Sequence, residues 1–192
     1  QIKKPTSILE TKIAISFSFP DTVINIFSNG IRQNVLFLYD LFAAIGYDVY
    51  LLINDNDVQK STDINFWNKK DKYKYMPISK LIYQDFHIVI QMGMEIEMFI
   101  LEFLKDCNIK TIYYCCGNSY FRQSEQCLYN IDNDDVNLQY NKSKYFHFTQ
   151  IWLIPQMVNS CKYYLQVLFR STVVNAPFVW SPSIIKDYEK DS

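Results

Sequence analysis

The stretch KIAISFSFPDTVINIFSNGIRQNVLFLYDLFAAIGYDVYLLI, residues 12–53, decides the fold. Its first eight residues are apolar and β-prone, and Pro20 and Asp21 then break the run, which predicts a strand over 12–19. Residues 31–45 place Val35, Leu38, Leu41, Phe42 and Ile45 at helical spacing, with Gly46 as the stop just past the last turn. A second strand, 48–53 (DVYLLI), follows at once. Strand, helix and strand in some forty residues form a βαβ unit, in which parallel pairing and a right-handed crossover are expected.

Working outward, the alternation continues. Residues 54–74 are polar and turn-prone around Phe66 and Trp67, which predicts a surface excursion. A short strand over 73–78, a short helix capped by Ser79 and ending at Tyr83, and a buried-type strand over 86–91 (FHIVIQ) come next. Residues 95–106 carry Ile96, Phe99, Ile100, Phe103 and Leu104 on one helical face, with acids in the first turn that suit the helix dipole. Further strands are predicted over 110–116, 149–154 and 172–175, and helices over 118–128, capped by Asn118, and over 156–171, with Val158, Cys161, Leu165 and Leu168 inward. Six or seven strands alternating with helices define a doubly wound α/β domain, mainly parallel, with helices on both faces. Residues 1–177 form this Rossmann-like domain, and 178–192 read as the start of a linker or tail.

Composition removes several function classes. The chain has 19 basic and 20 acidic residues, a net charge of -1, so no global field gathers nucleic acid or an anionic membrane. Its longest apolar stretch, 35–53, is interrupted by Asp40 and Asp48 and changes period at Gly46, so no transmembrane segment is expected. The five cysteines are odd in number and lack metal-ligand spacing, which fits reduced thiols and a cytoplasmic setting. The chain opens on Gln1 without a visible secretory leader, as a processed or excised segment would.

Candidate site residues cluster at strand ends. Glycine occurs four times in 192 residues, and Gly30, Gly93 and Gly117 each lie beyond a predicted strand. Glycine admits close backbone approach by a ligand, and open α/β sheets bind ligands outside the carboxyl ends of their strands. Ser28, Asn29 and Gly30 lead into a helix whose free N–H groups can hold an anion or a sugar hydroxyl, although simple turn-making by Asn29 and Gly30, with Asn34 on neighbouring backbone, explains the same residues. Asp21 and Glu95 stand where a general base must sit to reach a substrate hydroxyl, and solvation or helix capping is their ordinary role. His87 and His147 read as hydrogen-bonded structural histidines. Asp132, Asp134 and Asp135 read as a solvated loop, and no metal site is expected. The chain has no GxGxxG, P-loop or GxSxG, which disfavours dinucleotide binding and serine hydrolysis. Trp180 is costly to leave in water on a solitary domain and points to an interdomain or linker contact.

Five blocks together resemble the amino-terminal half of GT-B glycosyltransferases, in a divergent set related to family 4 with members in bacteria and large DNA viruses. They are residues 28–52 (SNGIRQNVLFLYDLFAAIGYDVYLL), 88–97 (IVIQMGMEIE), 112–120 (IYYCCGNSY), 151–156 (IWLIPQ) and 177–182 (PFVWSP). The resemblance implies a two-domain enzyme whose amino-terminal domain holds a carbohydrate acceptor and whose carboxyl-terminal domain holds a nucleotide-sugar. Sugar transfer then occurs in the cleft between them, with retention favoured. It implies that Ser28, Asn29, Gly30 and Asn34 face the donor's phosphates or sugar, and that the loops with Gly93, Met94 and Glu95 and with Gly117, Asn118 and Tyr120 line the acceptor side. Some relatives carry a histidine near the position of Met94 or Glu95, and this chain has none there. The donor domain lies outside this chain, so no cofactor is expected here, the nucleotide-sugar belongs to the complete enzyme, and the chain alone is expected to be inactive. A viral origin would place it in the host cytoplasm. The alternative is a non-catalytic α/β interaction module that has kept the fold.

Overall fold

Seven parallel strands in the order β3-β2-β1-β4-β5-β6-β7 form one open sheet. The structure is a computed structural model, and it describes residues 10–20, 29–63, 70–116 and 147–180. The strands are β1 (Lys12–Ser16), β2 (Asp48–Ile53), β3 (Tyr75–Pro77), β4 (Ile88–Gln91), β5 (Lys110–Cys115), β6 (Gln150–Leu153) and β7 (Thr172–Asn175). The helices are α1 (Gly30–Ile45), α2 (Val58–Thr62), α3 (Met98–Asp106) and α4 (Pro155–Phe169), with short 3-10 turns at Asp55–Asp57, Lys70–Lys72 and Ile78–Tyr83.

The two sheet faces carry separate cores. Ile13, Ile15, Phe17, Leu51 and Ile53 pack with Val35, Leu36, Leu38 and Tyr39 of α1 on one face. On the other, Ala14, Leu52, Val89 and Ile151 meet Leu81, then Ile100, Leu101 and Leu104 of α3, then Met157, Cys161, Leu165 and Phe169 of α4. Alternate residues of one strand thus serve opposite cores, as the period of two requires. The chain runs outward from β1 through β2 to β3, then returns to the other side of β1 as β4. The reversal leaves adjacent strand ends with crossovers leading away in opposite directions, and this is where an open α/β sheet forms its crevice.

Element boundaries follow local hydrogen bonding. Gly46 adopts φ 106° at the end of α1, where its N–H and that of Tyr47 reach back to the Phe42 carbonyl, closing the helix with the left-handed residue only glycine takes at little cost. β6 ends at Leu153, and Pro155 is the first residue of α4, one residue ahead of the helix start expected at 156, where its missing N–H costs nothing. Ser79 does not cap a helix: its backbone N–H (3.3 Å) and hydroxyl both donate to the Asp55 carboxylate, and Pro77 occupies the cap position. β1 ends at Ser16 rather than at residue 19, although Phe17 and Phe19 stay buried.

Two helix faces differ from expectation. In α1 the buried residues are Val35 through Tyr39, while Leu41 and Ile45 are exposed. In α3 the buried set is Ile100, Leu101 and Leu104, with Phe99 61% exposed and Phe103 also exposed. Both helices are apolar on more than one side, so spacing alone did not single out the stripe against the sheet. In α4 Met157 and Phe169 are buried beside Cys161 and Leu165, Val158 is half-buried, and the side chain of Leu168 lies outside the described set.

Candidate functional site

The switch point brings together the ends of β1 and β4 and the start of α1. β1 ends in a polar side chain, and that residue organises the whole edge. Ser16 is fully buried, and its hydroxyl donates to the Met94 carbonyl (2.7 Å) while accepting from the N–H groups of Met92 (2.9 Å) and Met94 (3.1 Å). One donor and two acceptor positions are all a hydroxyl has, so Ser16 is saturated. Its backbone carbonyl accepts from Gly93 N–H at 3.0 Å. Gln91, also buried, accepts from Ile96 N–H at 2.9 Å through its side-chain oxygen. The chain from Met92 to Ile96 is therefore held down onto the exit of β1.

That clamping corrects the reading of the acidic first turn. Met92, Gly93, Met94 and Ile96 spend their N–H groups on Ser16 and Gln91, and α3 starts at Met98 with Glu97 in the cap position, so no acid lies in its first turn. Glu95 is exposed in the loop ahead of the helix and is not its cap. Gly93 is needed for space and not for backbone conformation. A Cβ there would meet the Ser16 carbonyl oxygen at 2.9 Å, Val35 Cγ2 at 3.1 Å and Phe17 Cα at 3.3 Å. The group that comes close to Gly93 is the protein's own backbone, at the junction of β1, the loop after β4 and α1. Met94 packs its side chain against the core under α3.

The α1 end is arranged differently. Asn29 is the cap, its side-chain oxygen accepting from the N–H groups of Ile31 (2.9 Å) and Arg32 (3.2 Å), while its carbonyl takes Gln33 N–H. Asn34 donates its side-chain amide to the Gly30 carbonyl at 2.7 Å. Two of the first-turn donors that an anion could have used are thus already taken by Asn29. Among the described residues nothing lies within 4 Å of the position where a Cβ on Gly30 would stand, so they leave the surface over it open. Of the sequence-predicted residues, Asn29, Gly30, Asn34, Gly93 and Met94 converge here, with Val35 bridging α1 to the Gly93 loop. Asp21, Ser28, Gly117, Asn118, Tyr120 and the Asp132, Asp134 and Asp135 loop lie outside the described residues.

Three contributors were not anticipated. Ser16 and Gln91 are polar residues at the ends of otherwise apolar strands, and that contrast is their signal. Arg32 is the third. It stands in the first turn of α1, a turn without acidic residues, and its Nε donates to the Ser18 carbonyl at 2.9 Å beyond the end of β1. A cation at a helix N-terminus opposes the macrodipole, so its presence there requires a local reason.

Side chains further along the sheet edge are held in neutral forms. Burial, with Cys115 adjacent, pushes the Cys116 thiol up to about 12, so it is protonated at neutral pH and not poised as a nucleophile. Burial likewise raises Tyr114 to about 12, and its hydroxyl donates to the Pro177 carbonyl (2.9 Å), with the Ala176 carbonyl at 3.2 Å. This anchors the segment after β7. Phe178 stacks on Tyr114, and Trp180, 69% exposed, lies against Phe37 of α1 with ring centroids 5.6 Å apart. His87 accepts Lys12 N–H on Nδ1 at the opposite edge of the sheet (3.1 Å), a structural role, whereas His147, expected to be hydrogen-bonded, has both ring nitrogens buried without a hydrogen-bond partner among the described residues and lies 3.7 Å from Glu102. Among the described residues no cluster of His, Cys, Asp or Glu could hold a metal ion, and no helix is long and apolar enough to cross a membrane.

The parallel order and the switch-point crevice define a Rossmann-like α/β protein. Residues 13–191 match the profile of a family described as protein of unknown function (DUF2827), and the chain belongs to that family. A comparison with curated proteins finds no match.

Proposed function

We propose that this chain is the acceptor-side domain of a glycosyltransferase, which presents a hydroxyl acceptor to a nucleotide-sugar held by a second domain. The observation that carries the reading is the open surface over Gly30 at the reversal between β1 and β4, a helix start with room beside a loop fixed by Ser16. Support also comes from the five sequence blocks. The first spans α1 and most of β2, the second β4 and its clamped loop, the third most of β5, the fourth β6 with the start of α4, and the last follows β7. All five thus reach the carboxyl edge of the sheet or the chain just past it, where an acceptor and a donor would have to meet. Glycosyl transfer requires an acceptor hydroxyl held in line with the anomeric carbon and a stabilised diphosphate leaving group. One domain supplies half of that arrangement. Asp21 and Glu95 remain the candidates for general base, and Trp180 the candidate for contact with the second domain.

A second reading has its own observation. Asn29, Asn34, Ser16 and Gln91 spend hydrogen bonds on the chain itself, as they would in an α/β module that keeps the fold and recognises a partner without chemistry. Amide NMR titration of the chain with a panel of nucleotide-sugars and simple saccharides separates the two. The glycosyltransferase reading expects shifts at 29–34 and 93–95 and no detectable transfer by this chain alone. Absence of shifts with every compound, or shifts centred on the opposite edge near His87, would remove it.

A further inference from the structure

We infer that residues 176–180 form a strap with one fixed and one releasable clasp, in which Trp180 exchanges between a docked position on Phe37 of α1 and a free one while the chain up to Phe178 stays in place. This goes beyond the glycosyltransferase reading and does not rest on it. Past the end of β7 the chain steps inward across the sheet. The Ala176 N–H donates to the Leu153 carbonyl of β6 at 2.9 Å, and the Pro177 carbonyl accepts from the Tyr114 hydroxyl of β5 at 2.9 Å. Phe178 then stacks on the Tyr114 ring with centroids 6.3 Å apart, Val179 packs against the core shared with α1, and Trp180 arrives at Phe37. The strap therefore ties the last strands of the sheet to the helix that covers its other half.

The two clasps are unequal. Tyr114 is buried, and its hydroxyl and ring hold Pro177 and Phe178 beside the Ala176 bond to β6. Three such contacts on adjacent residues, each worth about two- to twelvefold, close that end by on the order of a hundredfold. Trp180 is 69% exposed, and among the described residues Phe37 is its one ring contact, a tilted pair with centroids 5.6 Å apart and planes at 44°. A single aromatic pair favours the docked form by only about two- to twelvefold, which leaves roughly a tenth to a third of the molecules with Trp180 free. Phe37 is buried with Trp180 docked, so release uncovers apolar surface on α1 and bares the indole at the same moment. An apolar surface that takes up Trp180 thus competes with Phe37 alone and not with the clasp at Tyr114.

The test is fluorine NMR of the whole 192-residue chain carrying fluorotryptophan at its three tryptophans, with the Trp180 signal assigned by Trp180→Phe. In the unaltered chain that signal should show a relaxation-dispersion profile or, where exchange is faster, slide towards its unfolded-chain position on warming. Phe37→Leu should move it further towards that position, while the signal of Trp152, which contacts Tyr114, stays in place. The Ala176 amide should remain protected from hydrogen exchange by more than about tenfold, as the fixed clasp requires. A Trp180 signal that neither disperses nor slides overturns the inference, as does one that Phe37→Leu leaves unmoved. Ala176 protection of about tenfold or less also overturns it, because the strap would then lift as one piece. The first and last readouts use the unaltered chain, so they decide the matter even where Phe37→Leu fails to fold.

Discussion

Gly30 and Gly93 look alike in the sequence and serve opposite ends in the fold. Each was expected just past a predicted strand, at a corner where backbone could meet ligand. Gly93 is closed in by its own chain, with the Ser16 carbonyl 2.9 Å from the place of a Cβ, whereas Gly30 is the first residue of a helix and faces open space. The first glycine is required by packing. At Gly30 no neighbour among the described residues requires the lack of a side chain. A strand-exit glycine therefore points to a ligand only after the space around its Cβ is known.

The comparison can be broken most decisively at Gly93. Gly93→Ala should cost about 3 kcal/mol, at the upper end of overpacking, because the nearest atom is a backbone carbonyl that is itself bonded to Gly93 N–H and cannot swing away. Equilibrium unfolding in urea measures this, and a loss under about 0.5 kcal/mol would mean the corner is looser than described. Ser16→Ala should cost about 2 kcal/mol, since it leaves the N–H groups of Met92 and Met94 and the Met94 carbonyl without their partner. Its second signature is faster hydrogen exchange at Met92 and Met94 with β2 unchanged, and uniform exchange would argue that the loop is not held by that hydroxyl.

A smaller effect concerns alkali. Tyr114 is raised from 10.0 to about 12 and Cys116 from 9.0 to about 12, so each keeps its proton in the fold at pH values where the unfolded chain has lost it. The unfolded state then binds fewer protons, and stability falls as pH rises between about 9 and 12, with the full contribution present below pH 9. Melting temperature should accordingly be flat with respect to these two groups from pH 7 to 8.5 and decline above that. At pH 8 the thiolate of Cys116 should be roughly a thousandfold scarcer than that of an unperturbed cysteine, so alkylation should reach it last among partly exposed thiols such as Cys107. Rapid labelling of Cys116 in the folded chain would contradict its burial.

Much of the fold was legible because punctuation and period agree. β2 and β7 coincide with their predicted runs, and Gly46 closes α1 as the stop expected of it, whereas the reversal at β1 could not be read from the alternation alone. Helix faces were less legible. Leu41, Ile45, Phe99 and Phe103 fit apolar stripes by spacing yet are exposed, since α1 and α3 carry apolar residues on several sides and only the sheet decides which side is covered. The crevice was legible in location and not in detail. Asn29 and Gly93 could be picked out by residue type, but whether they face a ligand or the chain depends on contacts more than sixty residues apart, such as Ser16 with Met92 and Met94. Arg32 went unremarked because a cation in a first helical turn stands out only after the start of the helix is fixed.

The most direct test is the unfolding free energy of Gly30→Ala measured beside that of Gly93→Ala. Gly30 lies in helical backbone with no neighbour to displace, so alanine should leave the domain as stable or raise it by up to about 1 kcal/mol, the opposite sign from the Gly93 change. If Gly30→Ala destabilises the chain by 1 kcal/mol or more, the surface over α1 is filled by the protein itself, and the open crevice does not exist.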